Sequence, residues 1–455
     1  MLPTSTSLPY AGLSLRLVMM TMSTALLTDH YELTMVQAAL RSGAASRRTV
    51  FEVFARRLPG ARRYGVVAGT GRVLDALERF RFGDEEIAFL RDNRVVDEPT
   101  LDFLASYRFS GRVRGYPEGE CYFPGSPIMT VEGTFAEAVL LETLILSIFN
   151  HDCAIATAAS RMVHAAGGRP LIEMGTRRTH EMSAPAAARA AYLAGFAATS
   201  NLMAGRAYGL PTAGTAAHAF TLLHDSEEQA FEAQLAALGT GTTLLVDTYD
   251  VEQAVRTAVE LAGPELGAVR LDSGDLGEAA HEVRKQLDAL GAHRTRILVT
   301  SDLDEHAIAA LAAAPVDGYG VGTSLVTGSG SPTAALVYKL VAREDASGVM
   351  RAVAKKSVGK PSRGGRKDAF RELDGTGTAA AELVLTSGAA PAGARPSRSN
   401  WSATARSWGG RASPTPGPGT AAPSPSSRPS PTSSPGATWP CRPCLTSLVV
   451  PQGGP

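Results

Sequence analysis

Apolar positions recur at helical spacing in two segments near the start of the chain and alternate in a segment between them. TDHYELTMVQAAL, Thr28 to Leu40, follows a candidate N-cap at Thr28 or Asp29 and predicts an amphipathic helix. FSGRVRGYPEGECYF, from Phe109, alternates and is broken by Gly and Pro, as is typical of an antiparallel strand and turn. TFAEAVLLETLILSIFNH, from Thr134, is strongly apolar and predicts a second helix.

A different pattern runs from about residue 170 to residue 323, where short apolar runs are each followed by an Ala-rich helical stretch. The runs are PLIEMG, AYGLPTAGT, GTTLLVDTYD, LGAVRLDSGD, TRILVTSDL and VDGYGVGTS. This alternation predicts a parallel sheet with polar residues past its strand ends, and we predict an irregular α/β barrel. The alternative is a doubly wound open sheet, for which Gly69 and Gly71 are a weak signal because Leu74 replaces the third glycine.

Periodicity is lost near the end of the chain, where Pro, Ser, Thr, Gly and Arg dominate and predict a disordered tail. If residues 396–413 are back-translated with permitted GC-rich codons and read one base earlier, the translation is LQVELVRDGEVVGREGL, which alternates like a strand. We therefore hypothesise that a frameshift replaced a folded C-terminus with this tail. The predicted parts are a disordered or mis-annotated start (1–23), an N-terminal α+β domain (24–135), an α/β barrel with the active site (136–345), a basic loop returning to the N-terminal domain (346–388) and the low-complexity tail (389–455).

Composition narrows the class of protein. The 455 residues are 44% hydrophobic, so the chain can bury a large core. Lys plus Arg and Asp plus Glu both number 44, and the net charge of +0 argues against nucleic acid and against a polybasic membrane patch. Apolar runs are too short for a membrane span, and the Cys count of 4 is too low for a secreted disulfide framework. We expect a cytoplasmic protein with small-molecule partners.

The segment AVRLDSGDL gathers a cation and two carboxylates at a predicted strand end: Arg270, Asp272, Ser273, Gly274 and Asp275. Such carboxylates suit ribose hydroxyls or Mg2+, and the arginine suits an anionic or planar ring. A solvated acidic turn is the alternative interpretation.

Glycines in VDGYGVGTSLVTGSG permit close approach of the backbone to a ligand. Gly322 and Thr323 lie at a predicted helix start, where amides and a hydroxyl can hold a phosphomonoester. The pattern is neither a Walker loop nor a Rossmann fingerprint, and a turn without a ligand is the alternative.

GTAAHAFTLLHDSEEQAF places Thr215 and His218 three residues apart, which allows a histidine nucleophile or proton donor beside whatever Thr215 binds. A structural histidine is the alternative, and the Cys/His spacing predicts no zinc site. EMGTRRTHE adds Arg177 and Arg178, a fork that suits diphosphate or carboxylate when it is not merely solvated. Basic residues in AKKSVGKPSRGGRKDAF can attract a nucleotide, but interleaved aromatics that would favour nucleic acid are missing there.

Taken together, these segments resemble nicotinate phosphoribosyltransferase, which joins nicotinate to phosphoribosyl pyrophosphate in NAD salvage. The resemblance covers about residues 26 to 386 and rests on co-linear motifs: TDHYELTM, GYPEGE, LLET, NHDCAIATAASRM, LIEMGTRRTHE, TSNLMAG, GTAAHAF, LLVDTYD, VRLDSGDL, VTSDLDE, GYGVGTSLVT and YKLV.

The resemblance implies an irregular α/β barrel in a homodimer, with the active site where the barrel meets the N-terminal domain of the neighbouring subunit. It implies that Tyr31, Thr215 and Arg270 bind nicotinate, and that ATP transiently phosphorylates His218. The residues implied for phosphoribosyl pyrophosphate are Arg177, Ser273, Gly274, Gly322 and Thr323, with Asp272 and Asp275 catalytic at the ribose and on Mg2+, directly or indirectly.

Several alternatives stay open. Nicotinamide would need no anion site, whereas quinolinate would need cationic partners for two carboxylates, and Arg270 is the one strong candidate beside the ring. An inactive relative with a damaged C-terminus and a dehydrogenase built on the Gly69/Gly71 turn are the alternatives of other classes.

Overall fold

A computed structural model describes residues 23–355, 362–377, 379–386, 393–397 and 399–402. The predicted start before residue 23, the tail beyond residue 402, and Lys356 and Lys360 of the basic stretch lie outside the described residues. The division of the chain into five parts stays a prediction.

The first large sheet is antiparallel and is centred on a strand that is buried almost throughout. Its strands in spatial order are β13 (Met350–Ala352), β12 (Leu336–Glu344), β1 (Arg48–Ala55), β5 (Met129–Thr134), β3 (Arg112–Gly115) and β17 (Ser399–Ser402). The Val and Phe residues of β1 suit a pleated surface packed on both sides. Phe51 of β1 stacks on Tyr338 of β12 with 4.8 Å between ring centroids, which fixes β12 in this sheet.

Helices and a short ribbon cover this sheet. They are α1 (His30–Arg41), α2 (Thr70–Glu78), α3 (Asp84–Asp92), α4 (Glu98–Ala105), α5 (Phe135–Val139) and α6 (Glu142–Ala166), with the ribbon β2 (Gly65–Val66) and β4 (Cys121–Tyr122). Asp29 occupies the predicted N-cap of α1, and a capping box between Thr134 and Glu137 begins α5.

One helical stretch among the described residues, Phe135–Ala166, is long and apolar enough by composition to cross a membrane, with a mean hydropathy of 1.5. Of its apolar window, 67% is buried inside the protein. Leu144, Ile145 and Phe149 lie in the core beneath the first sheet, so this stretch packs as a core helix.

The second large sheet is parallel and curled, and it confirms the predicted α/β barrel in an open form. Its strands in spatial order are β7 (Ala198–Thr199), β6 (Leu171–Glu173), β11 (Gly318–Val321), β10 (Arg296–Val299), β9 (Ala268–Leu271) and β8 (Thr243–Leu245). The helices that alternate with them are α7 (Ala184–Leu193), α8 (Leu202–Tyr208), α9 (His218–Leu223), α10 (Glu227–Leu238), α11 (Val251–Ala262), α12 (Leu276–Ala289), α13 (Glu305–Ala310) and α14 (Thr323–Val326).

The chain differs from the sequence predictions at three places. The run AYGLPTAGT begins inside α8 and contributes an isolated bridge between Thr199 and Thr212, because its Gly and Pro residues interrupt a strand. Strand β12, from the range predicted as barrel, pairs with β1 of the first sheet. At the start of the predicted tail, Arg395–Pro396 forms β16 beside β14 (Asp368–Leu373).

Strand β14 also pairs with β15 (Ala379–Leu385), and β17 from the same tail extends the first sheet at β3. An exposed strand edge offers backbone donors and acceptors to any extended segment, so pairing there does not require the apolar alternation that the tail lacks.

Candidate active site

Three loops at the carboxyl ends of β8, β9 and β10 are tied together by carboxylates. Asp247, after β8, accepts hydrogen bonds at Oδ2 from the Asp272 backbone amide at 2.8 Å and from Ser273 Oγ at 2.7 Å. Asp272, after β9, accepts at Oδ1 from Thr300 Oγ1 at 2.6 Å. Parallel strands end at one edge of the sheet, which is why residues distant in sequence meet here.

His218 begins α9 and faces this carboxylate pair. Its Nε2 lies 3.9 Å from Asp247 Oδ1 and 3.9 Å from Asp272 Oδ2, and its Nδ1 lies 3.1 Å from Thr248 Oγ1. The 3.9 Å contacts are longer than hydrogen bonds, but two negative charges favour the N–H on Nε2. The lone pair of neutral His218 then lies on Nδ1, where the Thr248 hydroxyl can donate to it.

Arg270, on β9, brings a cation with an unused donor to the same edge. Its Nε is buried and has no hydrogen-bond partner among the described residues. Burial lowers the pKa of Arg270, and the charges of Asp272 and Asp247 oppose that shift. Arg177, exposed on the turn Thr176–Arg178 after β6, is near enough to contribute to the lowering. The carboxyl edge therefore holds two neighbouring cations, one of them with a buried donor that has no partner among the described residues.

The turn after β11 packs tightly against the turn after β6. A Cβ on Gly175 would lie 2.3 Å from Val326 Cγ1 and 3.0 Å from the Gly322 carbonyl oxygen, so glycine is required for this approach. Gly322 precedes α14, and Thr323 is its exposed first residue. The first amides of a helix lack intrahelical partners, so this turn offers donors to a phosphate.

Ser273 joins the carboxylate cluster, whereas Gly274 and Asp275 are set apart from it. Gly274 has a φ of +78°, which favours glycine at that turn. Asp275 is the N-cap of α12, and its Oδ1 accepts from the amides of Gly277 at 3.0 Å and Glu278 at 3.1 Å. Its first structural role is therefore to start a helix.

Two other predicted residues are not tied into the cluster by the contacts described here. Thr215 is exposed in the loop before α9. Tyr31, on α1, is 45% exposed and hydrogen-bonds the Thr143 side chain at the start of α6. Burial and the carboxylates of Glu142, Glu32 and Asp29 raise the pKa of Tyr31 to about 12, so it stays a neutral phenol.

The sequence reasoning missed Asp247, Thr248 and Glu227. Asp247 follows an apolar run in LLVDTYD, so the strand-end rule that selected Asp272 could also have found it. Glu227 begins α10 and carries no local motif. Burial, followed by the charges of Asp250 and Asp247, raises its pKa to about 7, and that shift depends on tertiary neighbours.

In the part of the chain that the structure describes, no three His, Cys, Asp or Glu side chains are grouped so as to hold a metal ion. Mg2+ is commonly held by one or two carboxylates together with substrate phosphates. Asp272 fits that arrangement because its partly exposed carboxylate is an electrostatic neighbour of Arg270, whereas Asp275 Oδ1 is engaged in capping.

An α/β fold with an open parallel barrel of this kind is the fold of the type II phosphoribosyltransferases. The crystal structure of a Pyrococcus furiosus nicotinate-nucleotide pyrophosphorylase shares the fold, with a TM-score of 0.69 at 24% identity over 86% of this chain and 92% of the other. Human nicotinic acid phosphoribosyltransferase matches with a TM-score of 0.69 at 27% identity, over 82% of this chain and 88% of that chain.

The chain belongs to the nicotinate phosphoribosyltransferase family. Residues 26–150 match the family model for the nicotinate phosphoribosyltransferase N-terminal domain, and residues 155–329 match that for the quinolinate phosphoribosyl transferase C-terminal domain. Nicotinate phosphoribosyltransferase pncB1 of Mycobacterium tuberculosis is 62% identical over 381 residues, covering 82% of this chain and 84% of the relative. The Bacillus subtilis nicotinate phosphoribosyltransferase is 39% identical over 363 residues, covering 77% and 74%.

Proposed function

We propose that this chain transfers the phosphoribosyl group of phosphoribosyl pyrophosphate to nicotinate, giving nicotinate mononucleotide and diphosphate for NAD salvage. The observation that carries the proposal is the convergence of His218, Asp247 and Asp272 beside Arg270, whose Nε has no described partner. The Mycobacterium tuberculosis and Bacillus subtilis relatives carry the name of this activity.

Nicotinate is a planar anion, and Arg270 suits it because a half-buried guanidinium can pair with a carboxylate and cover a ring. The pyridine nitrogen is itself the nucleophile, so the reaction needs no general base. Thr215 would donate to the carboxylate from the loop before His218, and Tyr31 would stack on the ring as a neutral phenol.

The phosphoribosyl donor would lie across the turns that follow β11, β9 and β6. Thr323 and the backbone at Gly322 would hold the 5-phosphate, Asp272 with Ser273 and Gly274 the ribose, and Arg177 the diphosphate. Fixed charges along this edge would stabilise the oxocarbenium-like centre that forms as diphosphate leaves. Asp275 would act from the start of α12, at one remove from the sugar.

ATP would phosphorylate His218 and so couple its hydrolysis to mononucleotide formation. Nδ1 would attack the γ-phosphorus, forming an N–P bond as the bond to the ADP oxygen breaks and ADP leaves with that electron pair. The carboxylates of Asp247 and Asp272 would orient the ring through Nε2, as a carboxylate orients histidine in other enzymes. The added phosphoryl charge would then alter how the donor is held.

Mg2+ would enter with the diphosphate and meet Asp272, with Asp275 contributing through water. The ion supplies charge neutralisation on the leaving diphosphate. Arg177 and Arg270 add fixed positive charge on the same edge, which lowers the cost of gathering so many anions.

We also propose a homodimer in which the second copy completes the site. Large apolar residues stand out near the carboxyl edge: Leu202 and Leu223 are each 77% exposed and Tyr249 is 61% exposed. An exposed apolar surface of this kind suits burial against another chain. Tyr31 makes its contacts at the start of α6 and has none described with the carboxylate cluster, so the tyrosine proposed to stack on the ring would come from the second copy. A cytoplasmic location suits the buried Cys153, whose thiol forms no disulfide.

The test is mononucleotide formation by the full chain from labelled nicotinate, nicotinamide or quinolinate, with phosphoribosyl pyrophosphate and Mg2+, with and without ATP. We expect turnover of nicotinate alone and stimulation by ATP. His218→Ala should keep slow transfer and lose the stimulation. Preference for another substrate would contradict the proposal, and silence from a cooperatively melting protein would favour an inactive relative.

A further inference from the structure

Glu173 is the last residue of β6 and is buried at the carboxyl edge of the parallel sheet, with 1% of its surface exposed. Its Oε1 accepts a hydrogen bond from the Gly175 amide at 2.5 Å, and its Oε2 accepts one from Thr199 Oγ1 at 2.5 Å. No charged side chain among the described residues acts on Glu173, so these two hydrogen bonds are what offsets the cost of its burial. One carboxylate therefore joins the end of β7, where Thr199 lies, to the turn after β6.

The connection continues from Thr199 to the turn that carries Arg177. Thr199 Oγ1 also accepts a hydrogen bond from the Asn201 amide at 2.9 Å. The Asn201 side chain in turn donates from Nδ2 to Thr176 Oγ1 at 3.2 Å. Thr176 directly precedes Arg177 in the turn Thr176–Arg178. The residue before Arg177 is thus held in place by groups that follow β7.

The same buried carboxylate lies behind the turn proposed for the 5-phosphate. The amide of Met174, directly after Glu173, donates to the Val321 carbonyl at 2.8 Å. A Cβ on Gly175 would lie 3.0 Å from the Gly322 carbonyl oxygen and 3.1 Å from Glu173 Oε1, so these groups are packed without room for an added atom. The turns proposed to hold the diphosphate and the 5-phosphate therefore share one buried support.

We propose that Glu173 is a positioning residue for phosphoribosyl pyrophosphate, whose carboxylate fixes the turn carrying Arg177 against the turn at Gly322. The two turns would then keep the spacing that lets one donor molecule place its diphosphate and its 5-phosphate at the same time. Glu173 is too deeply buried to contact the substrate itself. The inference rests on the proposed function, because it takes the roles of the two turns from it.

Spacing matters for this substrate because its two anionic groups lie at opposite ends of one sugar. A site that binds both groups gains the second contact at little further entropic cost, but only when its two parts are already placed. Nicotinate makes no such demand, since its single carboxylate would pair with Arg270 on β9. Both hydrogen bonds of the Glu173 carboxylate go to the segments after β6 and at β7. Loss of Glu173 should therefore weaken binding of the phosphoribosyl donor and leave nicotinate binding nearly unchanged.

The first test is Glu173→Met in the full chain, which keeps the length of the side chain and removes both acceptor oxygens. Initial rates with each substrate varied in turn, together with calorimetric titration of phosphoribosyl pyrophosphate, measure the effect. The KM and the Kd for phosphoribosyl pyrophosphate should rise about 10- to 100-fold, whereas the KM for nicotinate should change by less than about twofold. Glu173→Gln keeps one acceptor oxygen and should give a smaller rise.

Glu137→Met is the matched control. Glu137 is a half-buried carboxylate on α5, and its Oε2 accepts hydrogen bonds from the amide and the hydroxyl of Thr134 at 3.1 and 2.8 Å. The control therefore loses hydrogen bonds of the same kind beside the first sheet. It should lower the melting temperature without raising either KM.

Asn201→Ser provides a second test that leaves Glu173 in place. Ser is as good an N-cap as Asn, so α8, whose Ala204 amide donates to Asn201 Oδ1 at 2.7 Å, should keep its start. Serine lacks the amide that donates to Thr176, so the KM for phosphoribosyl pyrophosphate should rise about two- to fivefold while that for nicotinate stays unchanged. This variant decides the question if the Glu173 variants do not fold.

An unchanged KM for phosphoribosyl pyrophosphate in the folded variants would overturn the inference. An equal rise for both substrates, or a fall in kcat alone, would also overturn it, because a general loss of structure does not select one substrate. A wild type that binds phosphoribosyl pyrophosphate but does not turn over nicotinate would overturn the proposed function instead, and the titrations would still decide the inference. A wild type that does not bind phosphoribosyl pyrophosphate would overturn both.

Discussion

Two charged regions of the molecule are built in opposite ways. The first is the cluster at the carboxyl edge of the parallel sheet, where Arg270 Nε, Asp247 Oδ1 and Glu227 Oε1 are buried and have no described partner. The second, which we call the C-terminal clamp, consists of Lys367 and Arg371 with their acidic partners: Glu52 on β1, Glu120 directly before β4 and Glu382 on β15.

In the C-terminal clamp the buried cations are closely paired. Lys367 Nζ lies 2.7 Å from Glu52 Oε2, and Arg371, 2% exposed, lies 3.1 Å from both Glu120 Oε1 and Glu382 Oε2. Pairing of this kind holds a chain segment in place, whereas unused polar atoms at a sheet edge are available to a ligand. Glu382 Oε2 also makes no hydrogen bond, but its ion pair with Arg371 compensates its burial.

The largest expected effect comes from breaking the clamp with Arg371→Ala. Glu382 would be left buried without its cation, whereas Glu120 would keep Arg395 at 2.8 Å. The loss should cost about 3–5 kcal/mol in the free energy of unfolding. Burial raises the pKa of Glu382, so the loss should shrink in acid, where that carboxyl is neutral. Denaturant unfolding at neutral and acidic pH measures both effects.

Arg351→Ala is the matched control, because Arg351 pairs with Asp345 at 2.7 Å on the exposed β12–β13 hairpin. Exposed pairs contribute roughly 0–1 kcal/mol, so this variant should unfold almost as wild type does. Equal losses in the two variants would mean that burial does not distinguish the clamp from a surface pair.

The second effect is on binding, through Arg270→Ala. The KM for nicotinate should rise about 10- to 100-fold, because a charge-assisted pair with the substrate carboxylate is lost. Stability should change by less than about 1 kcal/mol, since the deleted guanidinium was desolvated with one donor unused. Steady-state kinetics test the predicted rise in KM, and thermal melting tests the predicted small change in stability. Arg296→Ala, at the amino end of β10, is the control. A large loss of stability would place Arg270 with the clamp residues.

A smaller effect should follow from Gly175→Ala, which tests the packed turns of the phosphate site. The new Cβ would lie 2.3 Å from Val326 Cγ1, so α14 must shift, at a cost of about 1–2 kcal/mol. The KM for phosphoribosyl pyrophosphate should rise while that for nicotinate stays unchanged. Gly241→Ala, whose Cβ would meet nothing within 4 Å, serves as control. Unchanged kinetic constants in Gly175→Ala would show that this turn does not contribute to binding of phosphoribosyl pyrophosphate.

The sequence predicted the parallel sheet that carries the proposed site, but it did not predict the clamp. The parallel strands, with Arg270 on β9 and Asp272 directly past its end, follow from a repeated local pattern of an apolar run and then polar residues. The β12–β1 pairing joins residues nearly three hundred positions apart and depends on tertiary packing. The sequence around Lys367 does not indicate that Glu52 is its ion-pair partner. Because Lys367 lies in a basic stretch, the sequence instead suggests a cation that binds a ligand.

Within the site, local pattern also had limits. Asp275 stands three residues after Asp272, and the sequence predicts the same role for both carboxylates. In the structure Asp275 precedes a helix, and its Oδ1 accepts hydrogen bonds from the first backbone amides of that helix. The sequence did not identify Glu227, because its raised pKa depends on burial and on Asp247 and Asp250, which follow another strand. Motifs identify which residue types lie at strand ends. Only the folded structure decides which of their polar atoms remain without a hydrogen-bond partner.

The smallest expected effect concerns the stability of Glu227→Gln as pH changes. The folded pKa of Glu227, about 7, lies above its ordinary value of 4.5, so the stability it contributes is fully present below 4.5 and is lost as pH rises through about 7. Glutamine has no proton to lose, so the variant should melt like wild type in acid and become more stable by roughly 1 kcal/mol above neutrality, after allowing for partial exposure. Melting curves from pH 4 to pH 9, with Glu228→Gln as control, measure this difference. A stability difference between Glu227→Gln and wild type that stays the same at all pH values would show that burial does not disfavour the charged form of Glu227. Glu227 would then resemble the paired charges of the clamp.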